Sequence, residues 1–265
     1  MNKYNWLKNR AVVKVVGVDS FKFLQGILTN DVNKLLKDQA IYACLLTPQG
    51  KYFADFFLYL VEDGVLMDLC VLRKEEILKK LKMYKLRSDV DFIDLPEYKV
   101  VSSFSVSSEG AFFKDPRSSS LGMRGFVKEG NLEENDEYDL VRIANFIAEG
   151  DKDLIPEQSF LLEYGFDDLN AIDYKKGCYV GQELIARTHY RGEIRKQVVQ
   201  IQAIDKLPAL GTIIYRDEKK LGIVCSSVNN LGLALIRTED VESLNENEKI
   251  TADGKEVKLI FKGNK

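Results

Sequence analysis

The chain of 265 residues is long enough for two or three domains, and its 45% hydrophobic and 30% charged content is that of an ordinary globular protein. A formal charge of −3 argues against a surface given over to nucleic acid, and no run approaches the roughly 20 apolar residues that span a bilayer. The opening Met1-Asn2-Lys3-Tyr4-Asn5-Trp6 lacks the apolar core and small-residue cleavage site of a secretory signal, so the cytoplasm is the expected compartment.

Residues 11–16 read as a strand, and 20–28 as a short helix with Phe21, Leu24 and Leu28 on one stripe. Thr29-Asn30-Asp31 ends that helix, with Asn30 expected as a left-handed cap. Residues 40–46 and 51–61 read as strands joined by the turn Thr47-Pro48-Gln49-Gly50. A four-residue turn would pair Thr47 with Gly50, set Tyr42 opposite Asp55, and put Phe53, Asp55, Phe57 and Tyr59 on one face. Both faces of this strand are apolar, so it is expected to be buried. A buried carboxylate costs several kcal/mol without partners, so Asp55 needs either protein donors or a ligand that donates to it. An aromatic-walled strand with one carboxylate also suits a flat heterocycle carrying N–H groups. Residues 65–70 form a further strand, and 74–86 an amphipathic helix with Ile77, Leu78, Leu81 and Tyr84 facing inward.

After Pro96 the pattern restarts with a β-branched strand at 98–106. Residues 102–110 and 116–122 read as loops, and 136–148 as a helix with Tyr138, Val141, Ile143 and Ile147 on its apolar side. Pro156 breaks the chain before Phe160-Leu161-Leu162-Glu163-Tyr164-Gly165, a short helical turn whose Glu163 by itself reads as structural. From Ile194 to Phe261 only short strands and turns remain, the pattern of a small antiparallel barrel or sandwich. The expected domains are 1–96, 97–192 and 193–265.

Cys44, Cys70 and Cys225 lie in strand-like apolar runs, where a thiol is a small core residue. Cys178 differs. It sits in Lys176-Gly177-Cys178-Tyr179-Val180-Gly181-Gln182-Glu183, between two glycines and directly before a helix from Gln182 to about His189. The positive end of a helix dipole, unpaired N–H groups and the Lys176 ammonium would all favour the thiolate. One such thiolate cannot hold an iron–sulfur cluster within a monomer. His189 is the single histidine, which excludes a His-pair zinc site and leaves any Ser-His-Asp triad to use it. Lys175, Lys176, Arg187, Arg191, Arg195 and Lys196 outnumber Glu183 and Glu193 around this motif, which suits an anionic ligand tail.

The motif Lys-Gly-Cys-Tyr-Val-Gly-Gln-Glu resembles that of the YgfZ family, folate-binding proteins related to the glycine-cleavage aminomethyltransferase. Phe23-Leu24-Gln25-Gly26, Thr29-Asn30-Asp31-Val32, Thr47-Pro48-Gln49-Gly50-Lys51 and Arg191-Gly192 extend the resemblance over residues 10–200. It implies an α+β aminomethyltransferase-like fold, two α/β domains and a small C-terminal β-barrel around a central channel that binds tetrahydrofolate. It also implies a role in assembling or repairing iron–sulfur enzymes, including tRNA-modifying ones. By the same resemblance, Tyr42, Asp55 and Tyr59 match the hairpin of the aminomethyltransferase, whose aspartate is catalytic, and Glu163 matches its pterin-binding glutamate. Lys176, Arg187 and Arg191 would attract the folate's glutamate tail, and Cys178 would be the reactive atom. The aminomethyltransferase lacks this cysteine, which argues against ordinary glycine cleavage. Two rival readings are a one-carbon transferase using Asp55 for proton transfer and an RNA-binding module built on the 175–196 cations. The acidic total charge ranks the RNA reading last.

Overall fold

The computed structural model describes residues 3–104, 111–129, 131–242 and 248–262. Strands β1 (Lys3–Trp6) and β2 (Arg10–Val16) precede helix α1 (Ser20–Ile27). A meander of β3 (Ile41–Leu46), β4 (Tyr52–Val61) and β5 (Gly64–Cys70) leads into α2 (Lys74–Lys85) and the short β6 (Asp91–Asp94). These strands form an antiparallel sheet in the order β3-β4-β5-β2-β6. One face is covered by the apolar stripes of α1 and α2, where Phe23, Leu24, Ile27, Ile77 and Leu81 bury Val13, Phe56 and Leu58. The other face, with Tyr42, Cys44, Phe57 and Tyr59, packs into the central core of the protein. Burial on both sides is why β3 and β4 read as continuous apolar runs.

The second half contains β7 (Lys99–Ser103), β8 (Ala111–Lys114), β9 (Met123–Val127) and β10 (Asn131–Glu133), then α3 (Glu137–Ala144), α4 (Gly150–Asp153) and α5 (Gln182–Arg191). Its sheet runs β10-β1-β7-β9-β8. Strand β1 therefore leaves the N-terminal sheet and joins this one, pairing Asn5 with Ser102 and Trp6 with Val101. Ser102 and Ser103, expected in a loop, are the last residues of β7. Residues 105–110 of that expected loop, and the end of the strand expected at 98–106, lie outside the described residues.

The C-terminal strands β11 (Lys196–Ala203), β12 (Ile213–Arg216), β13 (Lys219–Val228), β14 (Leu231–Arg237), β15 (Ile250–Ala252) and β16 (Lys255–Ile260), with α6 (Thr238–Glu242) after β14, close into a barrel. Closure leaves no strand edge unpaired. Val199, Ile201, Leu221, Val224 and Ile236 fill it. Asp153 of α4 fastens the barrel to the body. Its carboxylate accepts from the Ser226 backbone N–H at 2.8 Å and from Arg142 at 2.8 Å, and Arg142 also donates to the Ser226 hydroxyl at 2.6 Å. Among the described residues no helix is long and apolar enough to cross a membrane.

Two local expectations are corrected. The β3–β4 hairpin pairs Tyr42 with Phe57 and Cys44 with Asp55, because its turn is closed by Thr47 and Lys51 and a register shift falls between Leu45 and Leu46. The displacement is two residues, so Asp55, Phe57 and Tyr59 keep their common face, but next to the irregularity Phe53 turns to the opposite core and Tyr52 takes its place. Asn30 is not a left-handed cap. The chain leaves α1 extended at Leu28, and the Asn30 amide instead donates to the carbonyls of Tyr42 at 2.8 Å and Asn170 at 2.7 Å.

Candidate functional site

Three of the sequence motifs meet around the Cys178 loop. Gly181, at φ +80°, is the residue before α5, and a Cβ there would fall 2.5 Å from the Thr47 carbonyl oxygen. Gly50, at φ +75°, reciprocates, since its Cβ would lie 2.7 Å from Leu184 and 3.0 Å from the Gly181 carbonyl. The hairpin turn thus rests directly on the start of α5, and only glycine at both places allows that approach. Thr29 bridges the same region: its hydroxyl donates to the Ala171 carbonyl at 2.6 Å and accepts from the Cys44 N–H at 2.8 Å, while its carbonyl accepts from Asp173 N–H at 3.0 Å. Gly177 differs from Gly181, because a Cβ at that position meets nothing within 4 Å.

Of the four thiols, Cys178 is exposed and Cys44, Cys70 and Cys225 are buried. Burial pushes the pKa of Cys44 and Cys225 well above the ordinary thiol value and that of Cys70 to about 11. Helix α5 begins at Gln182, where the sequence placed it, and Cys178 lies outside it. The cysteine precedes Gly181 by three residues, beyond the short reach of the dipole. The Lys176 ammonium, for its part, is already fully engaged and does not await an anionic tail. It turns to the C-terminal end of α1, where it donates to the carbonyls of Gln25 at 2.7 Å, Leu28 at 2.5 Å and Asn30 at 3.0 Å. Burial holds its pKa down to about 8, against the opposing pull of Asp31 and Asp173. His189 stacks on Tyr174 with ring centres 3.8 Å apart.

Asp55 lies in a different environment. Its side chain is 0% exposed, and both oxygens accept from the Arg10 guanidinium, at 3.1 and 3.2 Å. The Tyr42 hydroxyl donates to one oxygen at 3.1 Å and the Tyr52 hydroxyl to the other at 3.2 Å. Gly150 seals the carboxylate from above, since a Cβ there would lie 2.0 Å from it. Burial raises the Asp55 pKa against the lowering effect of Arg10, and Asp151 and Glu149 raise it further. Beyond Arg10 the charges continue as one buried network. Arg10 and Arg124 bind Asp68 at 2.6 and 2.7 Å, Arg124 meets the Tyr138 hydroxyl at 3.2 Å, and Tyr138 donates to Glu149. Arg117 then joins Glu149 at 2.9 Å to Asp115 at 2.7 Å. The guanidiniums of Arg124, Arg117 and Arg10 surround the Phe57 ring at 3.8, 4.7 and 5.5 Å.

The aromatic slot expected beside Asp55 is closed. Tyr42 packs on Phe57 and Phe166, Tyr59 packs on Phe113 and Phe126, and both tyrosines are fully buried. An acceptor whose oxygens are already engaged by a guanidinium and two hydroxyls has nothing to offer a pterin, so Tyr42, Asp55 and Tyr59 do not fit that group as they stand.

Glu163, Arg187 and Arg191 are brought together. They line a cavity of about 580 Å³ between the turn Leu161–Tyr164, α5 and the start of the barrel. A neighbouring cleft of about 870 Å³ shares its Leu162, Glu163 and Ile194 wall. Lys196 reaches Glu163 at 3.4 Å, so part of the cationic cluster is already neutralised. Sequence reasoning missed Arg10, Asp68, Arg117, Arg124 and Glu149. The available signal was the one used for Asp55: Asp68 is a lone carboxylate inside the apolar run Gly64–Cys70, and such a charge implies a buried partner.

Residues 195–262 match the family described as CAF17, C-terminal beta-barrel domain. The chain superposes on the glycine cleavage system aminomethyltransferase T of Bartonella henselae with a TM-score of 0.70, covering 98% of this chain and 85% of that one; at 14% identity this shows a shared fold. The "Iron-sulfur cluster assembly factor IBA57 homolog, mitochondrial" of Mycosarcoma maydis is 36% identical over 222 residues, 73% of this chain and 55% of the relative. The protein of the same name from Aspergillus clavatus is 30% identical over 315 residues, 89% of this chain and 70% of the relative. This chain therefore spans little more than half of the first relative's length. The relatives' mitochondrial names overturn the cytoplasmic expectation, and they carry the IBA57 name where the sequence motif suggested YgfZ. On these similarities, the aminomethyltransferase-like fold and the shared barrel, the chain belongs to the IBA57 family.

Proposed function

We propose that this chain is an iron–sulfur cluster assembly factor that lends Cys178 as a single thiolate ligand to a cluster shared with a partner protein. The observation that carries this reading is the separation of its thiols: one is exposed on a loop braced by glycine packing, and three are buried with raised pKa values. Among the described residues no group of three His, Cys, Asp or Glu is placed to hold a metal ion. Clusters normally take four protein ligands, so the remaining donors would come from the partner, an assembly factor or a recipient enzyme. Ligation replaces the thiol proton with iron and releases that proton to water. The names of the relatives support the same reading. Anaerobic reconstitution with ferrous iron, sulfide and purified candidate partners tests it by visible circular dichroism and native mass. The cluster-bridged complex should be lost in Cys178→Ala. An unchanged complex and spectrum in that variant would remove Cys178 from ligation.

A second ligand is favoured by the cavity that joins Glu163 to Arg187 and Arg191. Tetrahydrofolate suits it chemically, with Glu163 accepting from the pterin and the arginines meeting the glutamate tail. Asp55, closed inside its ion network, takes no part in this reading, which leaves the one-carbon transferase alternative without its proton-transfer group. Calorimetry decides it: heat on titrating tetrahydrofolate should fall in Glu163→Gln, and the absence of heat at millimolar ligand ends the proposal.

A further inference from the structure

Helix α1 ends with carbonyl oxygens that no later turn of helix satisfies, and these form the negative end of its dipole. In this protein an ammonium from far along the chain enters that end. Lys176 carries three N–H donors and meets three acceptors, the carbonyls of Gln25, Leu28 and Asn30. Asn30 is itself fixed by its amide bonds to Tyr42 and Asn170, and Thr29 ties the same segment to Ala171 and Asp173. The backbone N–H groups of Lys175 and Lys176 both donate to Asp173 Oδ1, at 2.7 and 3.2 Å. On the other side of the sulfur, the Tyr179 N–H donates to Gln182 Oε1 at 3.1 Å, and the Lys176 ammonium lies 4.9 Å from the Tyr179 ring. Only Gly177 and Cys178 separate these two anchors.

We propose that Lys176 is the positioning residue of the Cys178 loop: its ammonium, seated among three carbonyls at the end of α1, fixes where the thiol leaves the surface. The lysine is spent on the backbone, and the sulfur is presented at a set place without the loop having to order when a partner arrives. This rests on the role proposed above for Cys178, although the clamp itself does not require it. An arginine is a poor substitute, because its planar fork does not match a cup of three carbonyls.

The test uses amide hydrogen exchange on the full chain. Lys176→Met keeps the aliphatic stem without the ammonium, and the hydrogen-bonded amides that bound the loop, those of Lys175, Lys176 and Tyr179, should exchange at least about tenfold faster while barrel amides are unchanged. Lys176→Cys in the Cys178→Ala background should show the same loss, and aminoethylation with 2-bromoethylamine, which restores an ammonium at lysine length, should return the protection. Exchange within about twofold of the parent chain in Lys176→Met, or no recovery on aminoethylation, would overturn the clamp. In cells, Lys176→Met should lower iron–sulfur enzyme activity in the same direction as Cys178→Ala. If Cys178→Ala is harmless there, the ligand reading falls, and the exchange result still decides the clamp.

Discussion

Replacing Arg10 with methionine separates a structural Asp55 from a catalytic one. Arg10 is buried with its side chain 1% exposed and donates to both Asp55 oxygens, to Asp68 and to the Asp68 carbonyl at 2.9 Å. Breaking one partner out of a buried ion pair costs about 3–5 kcal/mol, because a charge is left uncompensated. Asp68 retains Arg124 at 2.7 Å, so the loss falls mainly on Asp55, which keeps only its two tyrosine hydroxyls. The cost should therefore be near the lower figure, a fall of roughly 10 °C in melting temperature for a chain of this size. The deficit should also depend on pH. The folded-state pKa of Asp55 is already raised, and Arg10 is the influence that lowers it, so removing Arg10 raises it further. A carboxyl whose folded pKa exceeds its unfolded value binds its proton more tightly when folded. Stability is then greatest below the unfolded value and falls as pH rises through the folded one. The Arg10→Met deficit should shrink as pH is lowered from about 8 toward the ordinary carboxylate range. Denaturant unfolding across that range measures it. A loss below about 1 kcal/mol at neutral pH, or a loss independent of pH, would refute the claim that Arg10 neutralises Asp55.

Glu149 gives the opposite sign: burial raises its pKa, but Lys152, Arg117, Arg124 and Arg142 outweigh burial and hold it well below the usual value. Its stabilisation is present above the unfolded pKa near 4.5 and lost as pH falls through the folded one, so the stability gap between the parent chain and Glu149→Gln should narrow on acidification, read by unfolding at stepped pH. Gly181→Ala should cost about 1–3 kcal/mol from its left-handed backbone and the contact with Thr47, whereas Gly177→Ala, facing open space, should change the melting temperature little. Under native conditions iodoacetamide should label Cys178 alone, and intact mass after brief treatment should show one adduct; a second would contradict the burial of Cys44, Cys70 and Cys225. Cys178→Ala should leave the melting temperature within about 2 °C, as expected for an exposed side chain.

Local pattern made much of the molecule legible. Helix α2 follows from its apolar stripe, the meander β3–β5 from its continuous apolar runs, and the barrel from its short strands between turn residues; α1 lies where expected, but its buried side is Phe23, Leu24 and Ile27, and Phe21, expected on that side, is exposed. The buried and exposed thiols were separable because Cys44, Cys70 and Cys225 sit inside strand runs and Cys178 between glycines. The membership of β1 in the second sheet was not legible, since pairing between Asn5 and Ser102 leaves no trace near either residue. The hairpin register was missed by two residues because the irregularity between Leu45 and Leu46 depends on packing rather than on turn composition.

Sequence alone determined that Asp55 must be buried and must find donors, and that Cys178 stands apart from the other thiols. Only the tertiary structure decided who those donors are: Arg10, Tyr42 and Tyr52 close on the carboxylate, while Lys176, expected to favour the thiolate, is taken up by the carbonyls of Gln25, Leu28 and Asn30 at and just beyond the end of α1. The physical reason is that the cost of burying a charge is local and readable in one strand. The choice among partners depends on which distant segments the packed core brings within hydrogen-bond distance.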